Sequence, residues 1–162
     1  MGAFSLTQGV GFYLDDVQLF GDASSRFGDL DRIEVLKGPQ GVLYGGSNIG
    51  GAVKFISTRP SPDETTGHFK IMAGEQNSTD IEGSINMPVG DGWAVRVFAF
   101  TREDDGFMYN PSNGDDTVAG YEESGGRLAI AGPLSDNLSL YASVRAVSYT
   151  QLRAHETHEH RV

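Results

Sequence analysis

Between Asp80 and Val89 the chain alternates with a period of two: Ile81, Ile85, Met87 and Val89 share one parity, and Asp80, Glu82, Ser84 and Asn86 share the other. Successive strand side chains point to opposite faces, so this run specifies a strand with one apolar and one polar face. Leu138 to Val147 repeats the pattern, with Leu138, Leu140, Ala142, Val144 and Ala146 set against Ser139, Tyr141, Ser143 and Arg145. Phe69, Ile71 and Ala73 alternate with His68 and Lys70, and Leu128 and Ile130 alternate with Arg127. From Trp93 to Thr101, Val95, Val97 and Ala99 oppose Arg96, but Phe98 and Phe100 fall on the arginine's side, and alternation gives no account of them. No stretch approaches 18 consecutive apolar residues, so a membrane-spanning helix is excluded. Two classes stay open: a soluble β protein and a transmembrane β-barrel, whose strands show only this short alternation.

The connections favour neither class alone but have a rhythm. Val89-Gly90-Asp91-Gly92 and Pro133-Leu134-Ser135-Asp136 are short and rich in turn formers. Glu103 to about Gly120 is long and polar and is expected to be a loop; segment 75–79 is a short exception where a long loop could sit. Barrels have short turns at the periplasmic end and longer loops outside. Strands of about ten residues tilted at roughly 40° cover about 25 Å of apolar height, and the runs here have that length. Whether the apolar face meets lipid or a protein core is not decided by alternation.

Composition narrows the function classes. The net charge of −10 sets the chain against duplex nucleic acid. With no cysteine there is neither a disulfide framework nor a thiolate metal site. Met1 to Ala3 begins without a basic region or long apolar run, so no signal peptide is expected here; for an exported protein the true start would lie further upstream. The 162 residues suit one ordinary domain and are too few for a large membrane barrel.

The first sixty residues read differently. Val10 to Leu14 is a short apolar strand, and Asp15-Asp16 opens a turn. Asp31 to Lys37 is a second strand, which Gly38-Pro39 stops because proline has no N–H for the ladder. Gly41, Gly45, Gly46, Gly50 and Gly51 follow within eleven residues, a density that signals backbone turning at positive φ or lying close to other backbone. Ala52 to Ser57 is a final strand, and 58–63 a linker. A phosphate-binding loop would need Lys-Ser/Thr after the last glycine, a dinucleotide fingerprint would need a following helix, and a nucleophile elbow would need glycine where Ile49 stands. Each enzyme reading fails on a required residue.

The run from Val10 to Val17, VGFYLDDV, and far more specifically Asp31 to Pro60, DRIEVLKGPQGVLYGGSNIGGAVKFISTRP, resemble the plug of TonB-dependent outer-membrane receptors. The usual family form is close to ERIEVLRGPQGTLYG followed by GAIGGVINIxT, and about thirty residues match almost without a gap. The resemblance implies a mainly β fold: a partial α+β plug domain over residues 1–60, then an incomplete antiparallel transmembrane β-barrel of about five strands over 61–147. In the family the plug is followed by a 22-stranded barrel that encloses it. The lipid-facing residues would then be Ile81, Ile85, Val95, Val97, Leu138, Leu140 and Val144. The lumen would meet Asp80, Glu82, Arg96, Arg127 and Arg145, and the Glu103–Gly120 loop would be extracellular. Gly38, Gly41, Gly45, Gly50 and Gly51 would form the plug's glycine turns. Arg32, Glu34 and Lys37 are candidates for a plug–barrel contact, with solvated strand face as the plain alternative. Lys37 replaces the usual arginine and keeps the charge without the bidentate fork.

The resemblance also implies partners: outer-membrane lipid, an inner-membrane energiser of the TonB type, and a siderophore, cobalamin, haem or glycan ligand, with an iron-siderophore favoured. No cofactor, no metal and no enzymatic step are implied. The TonB box and first plug half are expected before Gly11, where this chain leaves no room. The competing class is a soluble, plug-like, β-rich binding module without transport, and a need for detergent would separate the two. Five strands cannot close a barrel of this class, so the isolated chain is expected to aggregate or stay unfolded.

Residues 148–162 lose the alternation. His155, His158 and His160 invite a metal reading, but HExxH would need histidine where Glu159 stands. SYTQLRAHET resembles translated sequencing-adapter DNA, so 148–162 is expected to be a non-native tail. Asp104, Asp105, Asp115 and Asp116 lack the ordered spacing of a calcium loop. Asn77-Ser78-Thr79 is a sequon read as chance in a bacterial chain, and Trp93, Tyr109, Tyr121 and Tyr141 fit aromatic girdles or plain sheet packing.

Overall fold

The computed structural model describes residues 9–19, 28–39, 50–75, 77–110 and 115–151, with backbone only for 107–110, 115–119 and 151. Nine strands and no helix occur among the described residues, so the helical share of an α+β plug is not represented in them. The chain divides into two compact units, Met1–Arg59 and Pro60–Val162.

The first unit is a four-stranded sheet of β1 (Val10–Leu14), β2 (Val17–Leu19), β3 (Leu30–Lys37) and β4 (Gly51–Ser57), in the order β2-β1-β4-β3. β1 and β2 form a hairpin closed by Leu14 opposite Val17, with Asp15 and Asp16 at φ 47° and 69°. Two consecutive positive φ values give a type I′ turn, whose twist matches the strands it joins. The turn is also tied to β4: the Asp15 N–H donates to the Phe55 carbonyl at 3.0 Å, and Asp15 Oδ1 accepts from the Ser57 N–H at 2.8 Å. β4 runs parallel to β1 and antiparallel to β3, so it is the central strand, and it carries the buried Ala52, Phe55 and Ser57.

The second unit is one antiparallel meander of β5 (Thr66–Ala73), β6 (Thr79–Gly90), β7 (Trp93–Asn110), β8 (Asp115–Ser135) and β9 (Leu138–Gln151), in chain order. Gly90 pairs with Trp93 across Asp91-Gly92 at φ 50° and 76°, another type I′ turn. Ser135 pairs with Leu138 across two residues at the same end of the sheet. At the opposite end, β5 and β6 are joined through Gly74–Ser78, closed by the Gly74 N–H donating to the Ser78 carbonyl at 2.8 Å.

Two sequence boundaries move. Most of Glu103–Gly120 is a hairpin extension, not a loop: β7 continues to Asn110, pairing with Asp115 at the start of β8. A ladder needs only backbone partners, so it persists where apolar alternation stops. The extension is bent by register shifts around Gly106, which has φ 87° and whose N–H donates to Asp104 Oδ1 at 2.8 Å. Likewise β9 runs past Val147, and its last pair is Gln151 opposite Tyr121.

Candidate functional site

Register decides which side chains share a face, because directly paired residues of adjacent strands project the same way. Ile85 pairs with Val97, Val97 with Leu128 and Leu128 with Val144; Met87 pairs with Val95, Val95 with Ile130 and Ile130 with Ala142. Ile81 follows on the same face of β6, and Leu138 and Leu140 on the same face of β9. All seven residues expected to face lipid therefore share one face. Phe69, Ile71 and Leu128 belong to it too. It is wide open: Phe69, Ile71 and Val144 are 69%, 60% and 64% exposed. A shallow depression between Val95, Leu128, Ile130 and Val144 has a volume of about 400 Å³.

The opposite face carries the charge. Asp80, Glu82, Arg96, Arg127 and Arg145 all lie on it, with Arg127 directly opposite Arg145. Its centre is a residue that alternation did not single out. The Arg102 guanidinium lies 3.3 Å from Asp80, 3.5 Å from Glu82 and 3.8 Å from Glu123, and Lys70 lies 3.5 Å from Glu82. The Arg102 side chain is 13% exposed and that of Glu123 3%. At such burial separated charges cost several kcal/mol per ion, so the cluster holds only as an ensemble. Extending the Arg96 parity by six residues reaches Arg102, so the signal was present. Arg96 itself donates to Ser84 Oγ at 3.0 Å, and Arg127 to the Tyr141 hydroxyl at 3.4 Å.

The two unaccounted rings complete this face. Phe98 and Phe100 stack at 5.7 Å, and the Arg102 guanidinium sits over the Phe100 ring at 4.7 Å. Phe100 also covers Gly125 of β8, whose missing side chain leaves room for it. Beside the cluster a recess of about 300 Å³ is lined by Asp80, Arg102 and Tyr121 with the β5–β6 turn. Among the described residues no three His, Cys, Asp or Glu side chains are grouped to hold a metal. The arrangement offers a set of fixed charges paired with one another.

In the first unit, Arg32 Nε donates to Glu34 at 2.8 Å and Nη1 to Asp31 at 2.6 Å, and these bonds push the guanidinium further above its ordinary range, Glu34 contributing most. Glu34 lies 3.9 Å from Lys54, which in turn pairs with Asp16 at 2.6 Å. Arg32 and Glu34 thus belong to a charge row across β3, β4 and the β1–β2 turn. Lys37 ends β3, exposed, opposite Gly51. Of the expected glycine turns, Gly38 has φ 86° and Gly51 φ 141°, and a Cβ at Gly51 would strike the Leu36 carbonyl. Gly50 instead lets its N–H reach the Gly9 carbonyl at 2.6 Å. Gly41 and Gly45 lie outside the described residues.

A small mixed sheet with a glycine-rich β3–β4 connection, followed by a meander with one apolar and one charged face, defines a plug segment followed by part of a barrel-type wall. Residues 2–52 match the family described as TonB-dependent Receptor Plug Domain. The pesticin receptor of Yersinia enterocolitica is 31% identical over 125 residues, covering 75% of this chain and 18% of the receptor. The ferrioxamine receptor of the same species is 38% identical over 76 residues, covering 47% of this chain and 11% of that one. The crystal structure of the ferric yersiniabactin uptake receptor FyuA from Yersinia pestis superposes with a TM-score of 0.70 at 27% identity, covering 88% of this chain and 23% of that one. The chain belongs to the TonB-dependent receptor family, and it spans less than a fifth of the length of these two curated relatives. The family is one of receptors and transporters, not enzymes, which closes the three enzyme readings of the glycine cluster.

Proposed function

We propose that this chain is the C-terminal part of the plug and the first five barrel strands of an outer-membrane receptor that takes up an iron-siderophore. The observation that carries the reading is the two-faced meander: an open apolar face holding Phe69, Ile71, Val97, Leu128 and Val144 backs onto a face holding the Arg102 cluster. A soluble sheet would need a cover over that apolar side, whereas a bilayer supplies one. The siderophore assignment is supported by the likeness to the ferrioxamine receptor and to the ferric yersiniabactin uptake receptor, the latter superposing over 88% of this chain.

In this reading the ligand binds from outside the cell, the inner-membrane TonB-type energiser pulls on the plug, and the plug rearranges to let the ligand pass without breaking any bond in it. The polar face lines the lumen, where fixed side chains hold a stable charge pattern. The test is uptake of radioactive iron presented as ferrioxamine, by cells whose only such receptor is the intact protein carrying this segment. Uptake that stops when the energiser is deleted is the expected result. Uptake of no ferric siderophore from a panel of hydroxamates, catecholates and phenolates would refute the ligand class.

A further inference from the structure

Asn86 is an uncharged side chain on the charged face of the second unit, buried to 2% exposure. Its amide is fully used. Nδ2 donates to the Ser61 carbonyl at 2.9 Å and to the Glu64 carbonyl at 2.7 Å, and Oδ1 accepts from the Ser61 N–H at 3.0 Å. An amide has two donors and one acceptor oxygen, and here each is bound to the backbone of the segment entering the second unit. That segment is stiff in its own right. Pro60 and Pro62 fix two φ angles, and Ser61 Oγ donates to Asp63 Oδ2 at 2.9 Å.

The position of this clamp gives it meaning. Asn86 sits directly opposite Thr66, the first residue of β5 and the first pair of the β5–β6 ladder. β5 is an edge strand of the meander. Tension passed along the chain from the first unit would reach the β5–β6 ladder first at that pair. With Ser61 and Glu64 held to β6 by three bonds from one buried side chain, the load meets Asn86 before it meets Thr66.

We propose that Asn86 is a positioning residue that ends the movable part of the chain: rearrangement of the first unit stops at Pro60 and is not passed into β5. The anchor is read from geometry alone; its role as a stop for tension rests on the transport reading above.

The experiment is amide hydrogen exchange on the intact protein carrying this segment, in detergent. In the unsubstituted protein the Ser61 N–H should exchange as slowly as ladder amides of β6. In Asn86→Ala it should exchange at least tenfold faster, the β5 amides should follow, and the β7–β8 amides should hold. Ser61 exchanging at the rate of an unstructured amide in the unsubstituted protein overturns the inference, even if the variant never folds. A freed Ser61 with β5 unchanged overturns the role as a stop. A protected Ser61 in a protein that takes up no ligand refutes only the transport reading, and an unprotected Ser61 in an active transporter refutes only the anchor.

Discussion

The Phe100 ring lies over Gly125 of the neighbouring strand, with its Cε1 2.9 Å from where a β-carbon on that glycine would stand. The relationship recurs. Trp93 covers Gly132, with its Cγ 2.6 Å from the same kind of point, and Phe69 covers Gly83 more loosely, at 3.4 Å. Phe100 and Phe69 each face their glycine directly across the ladder. An aromatic over a glycine shields backbone that would otherwise be bare and pins the register of the two strands. The first prediction follows. Gly125→Ala and Gly132→Ala should each destabilise the folded wall by about 1–3 kcal/mol through overpacking. Gly67→Ala, whose new carbon meets nothing nearer than 3.6 Å, should be close to neutral. Denaturant midpoints of the intact protein refolded in detergent check the contrast.

Arg102 makes a second prediction, because three carboxylates converge on it. Arg102→Met removes the shared cation and leaves Asp80, Glu82 and Glu123 facing one another. Breaking a buried pair from one side costs about 3–5 kcal/mol, so a loss of that order is expected. Adding Glu123→Gln should recover part of it, since one of the stranded charges goes too. A double-mutant cycle on midpoints measures the coupling. Strict additivity would mean that the two residues do not interact.

How far the sequence revealed this structure depended on whether a feature was periodic. The apolar face could be read residue by residue from Ile81 to Val144, because a strand's period of two is imposed by its backbone. Phe98 and Phe100 could not, because Phe98 stacks on Phe100, and Phe100 meets the arginine two residues on and a glycine of a different strand, relations that alternation does not encode. The extension of β7 to Asn110 was hidden for a related reason: its ladder is polar, and composition there resembled a loop. Arg102 and Glu123 were legible in parity alone, yet the convergence of three acids on one arginine needed the register. Asn86 read as one more polar strand residue, since its three bonds reach back across more than twenty positions to Ser61 and Glu64.

Asp15 supplies a third prediction, in the first unit. It occupies φ 47° and accepts the N–H of buried Ser57. Asn at that position keeps an acceptor and tolerates the left-handed region, so Asp15→Asn should be nearly silent. Asp15→Ala leaves the Ser57 N–H without that acceptor and places alanine at positive φ. A loss of about 1–3 kcal/mol in local stability is expected. Faster exchange of the Ser57 amide in the alanine variant, with the asparagine variant unchanged, would bear this out, and equal exchange in both would refute it.

The fourth prediction separates the two faces of β9. Val144 is 64% exposed on the apolar face, and Ser143 next to it projects to the charged face. If that apolar face lies against acyl chains, an arginine at 144 must be carried into hydrocarbon, at a cost of about 2–4 kcal/mol near the midplane. The same arginine at 143 joins a face that already holds Arg127 and Arg145 and that meets the lumen in the proposed reading. Val144→Arg should therefore cut the amount of folded receptor assembled in the outer membrane several-fold, while Ser143→Arg leaves it near normal. Quantifying folded and unfolded receptor in isolated outer membranes distinguishes the outcomes. Equal tolerance at both positions would place water, not lipid, against Val144 and would overturn the membrane assignment of this face.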